Sequence, residues 1–194
     1  MTTTATRRDA DASCADAVAA AGCDADAVAA VCAVDDDTAR CAADVVLARR
    51  LADHHAQMVT RLDWLSAALV DAATDGDAAA AHSALRGWVR DELVPHAQEE
   101  ERTLYPAAAE LAEGALLIRS MIAEHGLIRA TASAMSDASD PAVAGAYGRA
   151  LFHIFDDHQW KENELILPLL VESASVSLVE VMSADECGCG HRDH

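Results

Sequence analysis

Aromatic side chains are scarce in this chain: three Trp, two Tyr and two Phe make up 4% of its 194 residues. Aromatic and β-branched residues are the usual filling of strands, so their scarcity argues against a sheet-based core. Basic residues are also few, with 14 Lys and Arg against 33 Asp and Glu, for a formal charge of -19. Such a surface repels phosphate backbones and anionic membrane faces, which excludes nucleic acid and membrane as expected partners, and it attracts cations. No run approaches the ~18 apolar residues that a membrane-spanning helix requires. Arg7-Arg8 stands where a twin-arginine signal would begin, but Asp-rich sequence follows in place of an apolar segment. The expected location is therefore cytoplasmic, with all six cysteines reduced.

What is abundant is Ala, Leu and charged residues, the composition of helices. The length suits one domain with some peripheral sequence. Residues 1–37 form a low-complexity Ala/Asp segment in which Ala15-Asp-Ala-Val-Ala-Ala20 recurs as Ala25-Asp-Ala-Val-Ala-Ala30. Cys14, Cys23, Cys32 and Cys41 recur at intervals of nine residues. On a helix that interval sends successive cysteines to opposite sides, with same-face members ~27 Å apart, which is no chelating arrangement. Residues 38–171 are expected to hold four long helices. The first runs from Asp36 to about Asp71 and ends at the turn signal Thr74-Asp-Gly-Asp77. The second runs from about Asp77 to Tyr105 and the third from about Ala109 to Met135. Ser139-Asp140-Pro141 supplies a cap and a first-turn proline for the fourth, which reaches about Leu170 with a break expected near Pro168. Residues 172–194 read as a flexible tail ending in Cys187, Cys189, His191 and His194, a weak candidate for soft-metal binding.

Four apolar stripes repeat at the alternating spacing of a packed helix bundle, and each carries a histidine where a leucine would be expected. They read Leu51, His55, Met58, Leu62, Leu65, Leu69; then Leu85, Val89, Leu93, His96, Glu100, Leu104. The third is Ile118, Met121, His125, Ile128, Ala132, Met135, and the fourth Leu151, Phe155, His158, Glu162, Leu165, Leu169. His54 lies ~100° from the first seam and is not expected on it. Burying an ionised carboxylate without compensation costs several kcal/mol, so the remedy must be a partner charge, a proton or a metal. A single HxxxE pair is most simply a solvated i,i+4 contact. Two such pairs on seams, with two more inward histidines, point to a metal site.

Position along the bundle is a separate test. His55 lies about 20 residues before the first turn and His96 about 20 beyond it, so both sit ~30 Å from that turn and side by side. His125 and His158 agree in level across the Ser139–Pro141 turn to within about one helical turn. By the same arithmetic His82 is ~21 Å from His96 along the axis, and His153 points away from His158. Both are expected to be surface or packing residues.

The set His55, His96 with Glu100, His125, and His158 with Glu162 resembles the hemerythrin-like family, in its HHE cation-binding type with the order H, HxxxE, H, HxxxE. The resemblance extends to Leu104-Tyr-Pro106 and Ile166-Leu-Pro168, whose prolines each fall ten residues after a motif histidine, and to His54-His55-Ala-Gln-Met-Val and Glu124-His125-Gly-Leu-Ile. It covers about residues 40–171. It implies an antiparallel up-and-down four-helix bundle around two iron ions with a bridging oxo or hydroxo group. Glu100 and Glu162 would be bridges and the four histidines terminal ligands. Iron suits such a mixed imidazole and carboxylate set, although manganese or zinc would also accept it.

One departure from the oxygen carriers bears on function. They have a further histidine on the third helix, and the corresponding neighbours of His125 are Arg129 and Met121. Two irons treated as octahedral would keep about two open positions, which suits peroxide or two-electron chemistry better than reversible dioxygen carriage. Glu99 and Tyr105 are candidates to fill one, although neither shares the seam of His96. The implied function is binding of dioxygen, peroxide or nitric oxide, with catalase-like decomposition of hydrogen peroxide as its enzymatic form. The alternative is a non-catalytic iron or oxygen sensor, or an iron-handling module, acting through a protein partner.

Overall fold

In the computed structural model of the chain, residues 36–186 are described, and every element among them is helical. Helix α1, Asp36–Asp75, runs without a glycine or proline. It stops at Gly76, whose φ of 85° suits only a residue without a Cβ, and whose N–H returns to Ala72 at 3.0 Å. The second helical path is built in pieces: α2 (Ala79–Trp88), a π-helical turn (Val89–Leu93), α3 (Val94–Arg102) and α4 (Leu104–Ala109). Helix α5, Gly114–Asp137, begins where a Cβ on Gly114 would run into the carbonyl oxygen of Ala108.

Helix α6, Pro141–Lys161, begins as the sequence predicts: Asp140 is extended at ψ 119° and its carboxylate accepts from Ala142 N–H at 2.9 Å. No break follows at Pro168. A second π-helical turn, Glu162–Ile166, leads directly into α7, Leu167–Val171. Proline lacks an N–H and its ring crowds the carbonyl four residues earlier, and a wider turn just before it relieves that conflict. Pro95 likewise follows the other π-helical turn.

Helix α1 packs on α2 and α6, and α6 packs on α5. The apolar core falls into two clusters. One holds Leu62, Leu69, Leu85, Leu93, Ile128, Met135, Leu151 and Phe155. The other holds Leu104, Tyr105, Ile118, Met121, Ile166, Leu170 and Leu178. On each of the four long paths a motif histidine lies between residues that belong to, or in the case of Leu51 pack against, the two clusters, so a polar layer divides the core.

Three expectations need correction. Leu165 is 42% exposed and Leu169 only partly buried, while Ile166 and Leu170 are the inward residues. The π-helical turn adds a residue to the spacing after Glu162 and so moves the seam on by one. The tail is not loose throughout: α8, Leu178–Glu186, buries Leu178, and Asp44 on α1 holds its start by accepting from Val179 N–H at 2.8 Å and Ser177 Oγ at 3.1 Å. Cys41 is disulfide-bonded, its partner lying outside the described residues; the expectation of reduced thiols rested on compartment and not on local geometry. Cys14, Cys23, Cys32, Cys187, Cys189, His191 and His194 also lie outside the described residues. No helix among the described residues is long and apolar enough to cross a membrane.

Candidate metal centre

All six motif residues converge on the polar layer. Glu100 Oε1 lies 2.9 Å from His96 Nε2 and 3.5 Å from His55 Nε2, while its Oε2 lies 3.5 Å from His125 Nε2. Glu162 divides the same way, with Oε1 3.4 Å from His158 Nε2 and Oε2 4.0 Å from His55 Nε2. Two groups result, His55-His96-Glu100-Glu162 and Glu100-His125-His158-Glu162, and in each the donor atoms lie within 4.8 Å of one another. The two carboxylates belong to both groups, each turning one oxygen toward each pair of histidines.

The layer is shielded from water. His55, His125, His158, Glu100 and Glu162 are buried, and only His96 is half-buried. His55 Nε2, His96 Nε2 and both oxygens of Glu100 have no hydrogen-bond partner. His96 and Glu100 are close but out of line for a hydrogen bond. Each orphaned buried polar atom costs about 1–3 kcal/mol, and a charged one more. Burial alone would raise the Glu100 carboxyl, but His125, His55 and His96 around it hold it well below the usual range. Anionic oxygens and inward imidazole nitrogens without partners are the donor set that a cation satisfies, so the residues fit a metal.

The histidines are oriented from behind. The Nδ1–H of His55 donates to Asn163 Oδ1 at 2.7 Å, that of His125 to Glu101 Oε1 at 2.9 Å and that of His158 to Glu124 Oε2 at 3.1 Å. A proton on Nδ1 leaves the Nε2 lone pair for a cation.

The sequence did not single out Asn163, Gln159, Glu101 or Glu124, and it offered Tyr105 as a candidate for an open position without a reason for it to point inward. Tyr105, placed off the seam by helical arithmetic, is 1% exposed and donates its hydroxyl to Glu162 Oε1 at 2.6 Å. Thr103, at φ -114° and ψ -77°, interrupts the helix between α3 and α4 and turns Tyr105 inward. The adjacent Pro106 was the signal for such a break. Gln159 donates to the other oxygen of Glu162 at 2.7 Å. Glu101 and Glu124 sit on different helices from the histidines they hold, so no spacing within one helix could reveal them. Glu99, the other candidate for an open position, pairs with Arg102 at the surface. His54 is exposed, as expected of its angle, yet its ring meets that of His96 edge-on at 5.5 Å between centroids. His82 has a packing role, with Nε2 2.8 Å from the carbonyl of Met135, and His153 lies against Phe152.

A family model, the hemerythrin HHE cation-binding domain, matches residues 46–170. The chain belongs to this family. The matched stretch contains all six converging residues and ends one residue short of α7's last, so α8 lies beyond it. Neither a curated protein nor a solved structure matches the chain. The family is a cation-binding one, and the donor cluster of the polar layer could hold a metal ion.

Proposed function

We propose that this hemerythrin-like chain is a non-haem di-iron protein that binds dioxygen, peroxide or nitric oxide and decomposes hydrogen peroxide. His55 and His96 would hold one iron, His125 and His158 the other, and Glu100 and Glu162 would bridge them. The observation that carries this reading is the sharing of both carboxylates between two histidine pairs. A single-ion site would have no use for two acids that each face both ways. We also infer the antiparallel up-and-down order of the bundle. Successive helical paths pass through the two apolar clusters in alternating order, from Leu51 to Met58, from Leu93 to Leu104, from Met121 to Ile128 and from Phe155 to Ile166.

Two irons bound there would supply one-electron redox steps and open positions for a small oxygen or nitrogen-oxide ligand. The rest is done by the protein. Asn163, Glu101 and Glu124 fix the rings of His55, His125 and His158, and the two apolar clusters exclude bulk water. Burial, together with the carboxylates of Glu162 and Glu100, pushes the Tyr105 phenol up, so it keeps its proton and presents it at Glu162 Oε1. Its hydroxyl oxygen also lies 3.2 Å from His158 Nε2 and 3.3 Å from His125 Nε2, making it the nearest candidate to occupy or guard an open position. Of the two residues four positions from His125, Arg129 pairs with Glu101 at 2.8 Å and Met121 packs in an apolar cluster, so neither adds a ligand.

Peroxide consumption by the iron-loaded full chain, with His158→Ala as the control, tests the reading. The wild type is expected to consume peroxide and the variant to lose both iron and turnover. Stable reversible oxygenation without peroxide turnover would contradict it.

A further inference from the structure

The side chains behind the six proposed ligands are divided unevenly between the two ion positions. Behind His125 stands Glu101, held from its far side by the Arg129 guanidinium at 2.8 Å. Behind His158 stands Glu124, held by Lys161 Nζ at 2.9 Å. Both histidines of this position therefore rest on an anion that is itself anchored by a cation. Behind His55 stands only the neutral amide of Asn163. His96 is 13% exposed at its side chain, against 1% for His125 and 0% for His158, and its ring faces the exposed ring of His54.

These differences act in one direction. A carboxylate accepting from Nδ1–H makes the opposite nitrogen a stronger donor, and losing such a partner typically costs 10–100-fold in metal affinity. An amide oxygen fixes the same tautomer without adding charge. The anchoring cations hold Glu101 and Glu124 in place, so their effect does not depend on a mobile side chain. We propose that the His125/His158 position takes its iron first and holds it more tightly, leaving the His55/His96 position as the exchangeable one that communicates with the surface past His54. This ranking rests on the two-ion reading above and adds an order to it.

Two binding steps alone would not establish the order, because two neighbouring cations repel and separate even equal sites. The assignment comes from variants of the supporting residues, which leave all six proposed ligands in place. The measurement is calorimetric titration of the metal-depleted full chain with ferrous iron under anaerobic conditions, with bound iron counted at saturation. Glu101→Gln is expected to weaken the tighter step by about 10-fold or more and to spare the weaker step. Asn163→Asp places a carboxylate behind His55 with little change of volume, and is expected to tighten the weaker step by about 10-fold. Equal intrinsic sites predict the reverse: Glu101→Gln would weaken the second step and Asn163→Asp would tighten the first. That pattern, or variants that move both steps together, overturns the ranking while leaving two irons per chain. Binding of one iron or none by the wild type overturns the two-ion reading and the ranking with it. Helicity by circular dichroism identifies a variant that has lost its fold, and Asn163→Asp alone then decides between the two orders.

Discussion

In the second and fourth helical paths an HxxxE pair is followed by a proline ten residues after its histidine, His96 to Pro106 and His158 to Pro168, yet the two backbones diverge. In the second path the π-helical turn precedes His96, and the helix is interrupted at Thr103 before the proline. In the fourth, the π-helical turn begins at Glu162 itself and carries the helix past Pro168 without a break. The residue before each proline consequently differs in role. Both pack in the same apolar cluster, but Tyr105 also extends a hydroxyl into the polar layer. The two acids proposed as bridges differ too: both oxygens of Glu100 lack partners, while Glu162 accepts from Tyr105 and Gln159. An i,i+4 pair is positioned within one α-helical turn, so the motif fixes its two side chains locally. What the chain does a few residues later depends on how it accommodates proline.

The largest effect is expected from removing either proposed bridge. Glu100→Ala and Glu162→Ala should each weaken iron binding at both positions by more than the ~100-fold typical of losing a supporting residue, as read by metal analysis after dialysis. If Glu100→Ala spared one position completely, the two acids would not be equivalent bridges. The fourth path's shifted seam comes next. Ile166→Ala should destabilise the chain by about 2–5 kcal/mol in urea unfolding, against under about 0.5 kcal/mol for Leu165→Ala. An unshifted seam predicts the opposite order. Tyr105→Phe should cost about 1–3 kcal/mol in the metal-free chain, because it removes a donor to a buried carboxylate, whereas Leu167→Met should cost less than about 1.5 kcal/mol. Equal costs would remove the distinction between the two pre-proline residues.

The smallest effect concerns pH. Burial pushes His96 and His158 down, but Glu100 beside the first and Glu162 beside the second outweigh it, and both are raised above the ordinary 6.5. Their protons must leave before a cation binds, so iron affinity should already be falling above pH 6.5 and continue to fall on acidification. Metal-free stability runs the other way. The contribution of these two groups is complete below the unfolded value and is lost as pH rises through their folded values. Anaerobic iron titrations and urea unfolding at about pH 8 and about pH 6 would show the two opposed trends.

Much of this centre is legible in the sequence, for a reason visible in the first and third helices. His55 and His125 sit on stripes that keep regular 3 and 4 spacing, and each stripe is buried as expected except for the partly buried Leu51. The level of each ligand follows from counting residues to a turn, and Asp140-Pro141 marks such a turn through capping chemistry that acts within a few residues. The hidden parts depend on contacts between distant segments or on local backbone departures. Asp44 caps a helix more than a hundred residues later, and the Glu101–His125 and Glu124–His158 pairs join different helices. Ile166 and Tyr105 become inward residues only because the backbone departs from α-helical geometry nearby.

A crystal structure of the iron-loaded chain, with iron located by anomalous scattering, tests the centre most directly. Two peaks are expected, one between His55 and His96 and one between His125 and His158, with Glu100 and Glu162 spanning both. A lone peak, or iron bound away from these six side chains, would contradict the account.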